Sequence, residues 1–234
     1  MSAIIKREIS AYFKSSIGYI YLSIFYLFGG FYFFINCLSS TSSNLTYLFY
    51  NLFTIVLLLI PILTMRLLSE EKRQKTDQAL LTAPVSLTAI VIGKYLGALV
   101  MYTIGISVTL IYAVILSFFS SISVAVILGN FLGLFLLGAA FISVCLFLSS
   151  LTENQIVAAI SGFAVSIFII MLGTIATNIP NPFLSNILIA ISFSAHYSDF
   201  STGIFNLVDL FFFISATALF IFLTVRVLEK RRWS

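Results

Sequence analysis

The chain has 234 residues, of which 61% are hydrophobic, 16% aromatic and only 9% charged, with a formal net charge of +4. A water-soluble domain carries roughly a quarter charged residues, so this composition excludes one. All 12 Lys and Arg residues fall in three patches, Lys6–Lys14, Arg66–Lys94 and Arg226–Arg232, with paired apolar stretches between them. Their place beside apolar stretches accounts for the basic residues without any nucleic acid as a partner.

The chain opens on a short amphipathic segment, 1–15, in which Ile5, Ile9, Tyr12 and Phe13 recur at helical spacing while Lys6, Ser10 and Lys14 take another face. This predicts a helix lying along the inner membrane surface. Six stretches then reach the roughly 20 apolar residues that a spanning helix needs. They run over about 16 to 38, 47 to 65, 91 to 118, 124 to 148, 155 to 178 and 205 to 226. Basic side chains are retained on the cytoplasmic side, so both ends and the Arg66–Lys94 patch are expected inside. An even number of spans satisfies that requirement. The fold class is therefore an all-α polytopic membrane protein, read as a single domain over 1–234 with loops too short to fold alone. The outer connections near Ser39–Asn44 and Ser120–Ser123 carry no charge, and Cys37 and Cys145 offer neither a metal spacing nor an evident disulfide partner.

Three features interrupt the spans. Between the second and third, the segment 66–90 begins charge-dense, with Arg66, Glu70, Glu71, Lys72, Arg73 and Lys75, and turns apolar at Leu80, Leu81 and Val85. A helix with ionic contacts at one end and an apolar ridge at the other suits a partner's groove. Between the fifth and sixth, the segment 178–204 opens with Pro180-Asn181-Pro182 and holds an apolar run from Phe183 to Phe193, about half of what is needed to cross. It is expected to be re-entrant from the outer side, with Ile187, Ile191 and Phe193 facing lipid, protein or cargo. Inside the spans, Gly93-x-x-x-Gly97 and Gly129-x-x-x-Gly133 permit close helix approach.

The chain has no phosphate-binding loop, no metal-ligand cluster and a single His, and its acids Glu153, Asp199 and Asp209 lie near predicted span ends. Nucleotide hydrolysis, intramembrane proteolysis and ion-coupled carriage thus find no machinery in the sequence. Any energy for transport is expected from a partner.

The series Arg66, Ser69-Glu70-Glu71, Thr76, Leu80-Leu81-Thr82, Pro84-Val85-Ser86 and Gly93-Lys94 resembles the signature after the second span of ABC-2 type permeases, the membrane subunits of ATP-binding-cassette exporters. The gliding-motility and antibiotic-export branches are the most similar. A second match runs from Ser194 through His196 to Gly203, with Asp209, and resembles the family's stretch ahead of its last span. The resemblance implies a permease that forms its substrate pathway as a dimer, with a second copy or a homologous permease, in the inner membrane of a bacterium. It implies two ABC ATPase subunits that hold ATP and Mg, this chain itself binding no cofactor and no metal and having no catalytic residue. Glu70, Glu71, Arg73, Thr76, Leu80 and Leu81 inherit a coupling role, and Ile187, Ile191, Phe193 and His196 a role at the outer gate. Lys75 departs from the pattern, since many relatives carry Gly before the Thr. An ATP-independent channel or secondary carrier and a non-transporting scaffold or immunity protein stand as alternatives.

Overall fold

The computed structural model describes residues 2–39, 45–76, 86–119 and 124–233. They form α1 (Ser2–Lys14), α2 (Ser16–Phe33) with a π-helical continuation over Phe34–Ser39, α3 (Leu45–Thr64), α4 (Ser69–Arg73), α5 (Leu87–Ile106), α6 (Val108–Ser117), α7 (Val124–Leu151), α8 (Gln155–Asn178), α9 (Pro182–Ile191), α10 (Phe193–Ser201) and α11 (Leu207–Trp233). Among the described residues, six helical runs are long and apolar enough to cross a bilayer: Ser16–Ser39, Thr46–Arg73, Leu87–Ser117, Val124–Leu151, Gln155–Ala176 and Leu207–Arg232. The chain is a multi-pass, all-α membrane protein.

In lipid, apolar burial between helices supplies little net driving force, so close packing and polar ties must hold the bundle. Both are present. The second and fourth spans are each 67% buried over their most apolar window, against 22% for the fifth and sixth, which places α3 and α7 at the centre. On α2 the residues Gly18, Tyr21, Phe25, Gly29 and Phe33 form one buried stripe at helical spacing, while Tyr19, Leu27 and Phe31 on other faces are exposed. Pro61 inside α3 has no N–H to offer the Leu57 carbonyl one turn earlier. The Ser166 hydroxyl of α8 donates to that carbonyl at 2.6 Å and repairs the gap.

All three basic patches meet at one end of the bundle. Arg7 of α1 reaches Glu71 of α4 at 2.8 Å, and Arg231 near the C-terminus reaches Glu153 in the turn between α7 and α8 at 3.4 Å. At the opposite end, α9 and α10 fill the interval between the fifth and sixth spans. Their 10 and 9 residues correspond to about 15 Å each, half a hydrocarbon core, so neither crosses. Asn181 caps α9 by accepting from the Phe183 N–H, with Pro182 in the first turn, and Ser192 both ends α9 and caps α10 through the Ala195 N–H.

The two Gly-x-x-x-Gly motifs serve neighbours other than a second span. A Cβ on Gly97 would stand 2.6 Å from the Glu8 Cβ and one on Gly93 2.8 Å from Ile4, so this groove on α5 seats α1. A Cβ on Gly133 would stand 2.5 Å from the Phe200 Cβ, so the groove on α7 seats α10. Both small-residue grooves hold an element that does not span.

Candidate functional site

At the basic end, α1 breaks from α2 at Ser15, whose extended backbone (φ −108°, ψ 154°) turns the chain into the first span. The face of α1 turned to the bundle is Ile4, Glu8 and Tyr12. The amphipathic reading placed Ile5, Ile9, Tyr12 and Phe13 on one apolar face. Tyr12 is indeed fully buried, its hydroxyl donating to the Leu63 carbonyl at 2.8 Å, but Phe13 stays 40% exposed and the acid Glu8 takes a buried place. Arg66 lies over the Tyr12 ring, 5.1 Å from its centre.

Glu8 is tolerated there because it belongs to a closed ring of four charges. The Lys94 ammonium touches Glu8 at 3.0 Å and Glu71 at 2.8 Å, and the Arg7 guanidinium touches the same two carboxylates at 2.9 and 2.8 Å. Two cations and two anions are thereby mutually neutralised, which makes the burial of Lys94, 1% exposed, energetically acceptable. Burial by itself would raise the Glu8 carboxyl, but the Lys94 and Arg7 charges outweigh it and hold Glu8 below the usual carboxylate range. The ring joins α1, α4 and α5, three elements far apart in the chain.

The second span reaches α4 through a turn over Met65–Leu68. Ser149 of α7 fixes that turn, its hydroxyl accepting from the Leu68 and Ser69 N–H groups at 3.2 Å and donating to the Met65 carbonyl. The buried Lys72 ammonium donates to the Ser150 carbonyl, a free group at the end of α7. The chain then leaves α4 through Lys75, which has φ +57°. Left-handed backbone favours Gly, so Lys75 occupies a position whose geometry a glycine would adopt without strain.

The sequence-nominated coupling residues separate into two groups. Arg73 and Thr76 are exposed, together with Gln74 and Lys75, and Glu70 is half-buried with a bond from Gln74 at 3.2 Å. Glu71 points the other way, into the ring. Leu80 and Leu81 lie outside the described residues. Beside the ring is a cleft of about 480 Å³, lined by residues of α1 and the α4 region that include Lys14, Arg66, Glu70 and Thr76. Arg7, Glu8 and Lys94 are the members that sequence reasoning missed; the signal available was a lone acid in a basic helix and a lysine on a glycine groove.

At the opposite end, no residue of α9 is buried, and Ile187 and Ile191 are exposed. Phe193 packs on Phe212 and Phe213 of α11, with ring centres 5.3 and 5.8 Å apart. His196 is stacked on Phe212 and its Nδ1 lies 2.5 Å from Asp209 Oδ1. Phe200 is fully buried in the α7 groove, and the Asn130 amide of α7 donates to the Ser201 carbonyl at 3.1 Å. Below α9 and α10, a recess of about 540 Å³ opens between α3 and α8, lined by Tyr50, Thr54, Thr174, Ser192, Ser194 and Ser198 among small and apolar residues, with no charged group.

A family model described as ABC-2 family transporter protein matches residues 35–228. No curated protein matches the chain.

Proposed function

The chain belongs to the ABC-2 family of transporter proteins and is a permease component of an ABC transporter, and from that premise we propose that it exports its cargo as a dimer driven by two ABC ATPase subunits. The observation that supports this most directly is the ion ring at the basic end. A helix outside the bundle, the start of the coupling segment and the base of the third span are fastened to one another there, so a push on any of them is passed to the other two. Arg73, Gln74, Lys75 and Thr76 are left facing outward beside the ring, where an ATPase cleft could grip them.

In this reading the basic end is cytoplasmic, both termini are inside, and the membrane is the inner membrane of a bacterium. ATP and Mg sit on the ATPases. Their closure on binding ATP pushes the 66–90 segment, and the ring converts that push into a tilt of the third span between inward-open and outward-open states. The uncharged, hydroxyl-lined recess between α3 and α8 contributes to the pathway at the dimer's centre, which favours a lipid-like, peptidic or otherwise amphipathic cargo over a small ion.

Co-expression with the cognate ATPase, purification in mild detergent and assay of hydrolysis test the reading. The permease is expected to co-purify with the ATPase and stimulate it, with Arg73→Glu and Leu80→Ala each weakening both effects. An unchanged complex yield and unchanged turnover in both variants would refute the docking assignment.

A further inference from the structure

With Asp209 ionised, His196 is held by two groups that can only accept. Its Nδ1 is 2.5 Å from Asp209 Oδ1 on α11, and its Nε2 is 3.2 Å from the Ala190 carbonyl in the last turn of α9. A backbone carbonyl has no proton to give, nor has an ionised carboxylate. A neutral imidazole carries one N–H and satisfies one of them; only the doubly protonated ring satisfies both. Asp209 stands in the first turn of α11. Its second oxygen is buried without a hydrogen-bond partner among the described residues, so the imidazolium is its neutralising contact.

We propose that Asp209 is a positioning residue for transport, which through a doubly protonated His196 clasps the end of α9 to the last span and so keeps the far end of the pathway closed. This rests on the outer-gate role that the family resemblance implies for Ile187, Ile191, Phe193 and His196, which lie on α9 and α10. The clasp adds to ties α9 already has along α8, where Ser185 donates to the Ala176 carbonyl at 2.8 Å, while no α9 side chain is buried. Loss of one proton from the pair leaves the ring able to hold Asp209 or Ala190 but not both, and the C-terminal turn of α9 is released. The titratable groups around His196 are few. From α11 Asp209 faces it; on its own helix Asp199 and Tyr197 follow, Tyr197 donating to the Phe49 carbonyl. α3 brings Tyr50 to the neighbouring recess, and the ranges of α7, α8 and α9 contain no acidic or basic side chain.

The test uses the full chain in lipid nanodiscs, with spin labels at Ile187 on α9 and Leu128 on the rim of α7, and follows their separation by pulsed dipolar spectroscopy across about pH 5 to 8, the range in which a histidine switches. The expected result is one short distance in acid that lengthens by about one helical turn, roughly 5 Å, as pH rises. Asp209→Asn should give the long distance at every pH, and Asp209→Glu should restore the pH dependence. A merely structural Asp209 predicts no such profile. A distance that is pH-invariant in the wild type overturns the clasp whatever transport does. Transport by the ATPase complex, measured on the same variants, separates the two layers: a clasp that switches while transport ignores both pH and Asp209→Asn overturns its role in closure, and with it the reading of α9 and α10 as a gate.

Discussion

Replacing Lys94 with Met removes the cation that both ring carboxylates share at the base of the cleft. Glu8 and Glu71 have side chains only 11% and 17% exposed, and each lies within 3.0 Å of the same ammonium. They are therefore no more than about 6 Å apart, where two unit charges repel by about 3 kcal/mol at an effective dielectric near 20. Breaking a buried ion pair by removing one partner costs a similar ~3–5 kcal/mol in general. Arg7 still bridges the two acids, but its side chain is 52% exposed and solvent screens it, so it offsets little. A loss of about 3 kcal/mol, at roughly 2–4 °C per kcal/mol for a chain of this size, lowers the unfolding midpoint by about 6–12 °C. Thermal unfolding of the full chain in detergent, followed by helical circular dichroism, reads it directly. Arg7→Ala is the contrast, expected to cost no more than about 1 kcal/mol because it leaves Lys94 between both acids. Adding Glu71→Gln to Lys94→Met should recover much of the loss, since one of the two facing charges is gone. The ring argument fails if Lys94→Met is no worse than Arg7→Ala, or if the second substitution recovers nothing.

The remaining expectations concern the same joints. Because Glu8 titrates below its unfolded value of about 4.3, its contribution is complete above that pH and is lost as pH falls through the lower folded value; protease cleavage of α1 should accordingly stay slow from neutral pH down to about 4.5 and accelerate below, a step that Glu8→Gln removes. Gly97→Ala and Gly133→Ala force a Cβ to 2.6 and 2.5 Å from Glu8 and Phe200, and are each expected to cost about 1–3 kcal/mol, whereas Gly30→Ala, whose Cβ meets nothing nearer than 3.7 Å, should be neutral or slightly stabilising in the same unfolding assay. Lys75→Gly relieves a left-handed residue at φ +57° and should stabilise the chain by about 1 kcal/mol; a destabilised variant would contradict the strain argument.

Much of the fold was legible because it is written locally. Apolar length sets the number of spans, and the sidedness of Lys and Arg sets which ends belong together, so counting along the chain reaches the six-span bundle and the shared basic end without any pairing being known. The start of the outer segment was legible in Pro180-Asn181-Pro182, but Ser192, inside the run read as continuous from Phe183 to Phe193, ends one half-length helix and caps the next. Within the charged segment after the second span, Arg73 to Thr76 are exposed.

What the sequence by itself determined is therefore the list of elements and the end of the bundle at which each charge lies. The tertiary structure alone decided which charges touch. Glu71 reads like Glu70 as an exposed acid of a docking helix, yet it turns inward to Lys94, and Glu8, 86 residues from Lys94, sits where periodicity would place an apolar residue. Gly93 and Gly97 announce a close approach but not that α1 rather than another span makes it, and nothing in His196 or Asp209 taken singly foretells their pairing. The reason is geometric: a helix's own pattern fixes which residues share a face, while the rotation that turns this face toward one neighbour is set by side-chain volumes on several helices at once, and a rotation of one residue, about 100°, exchanges a buried partner for an exposed one.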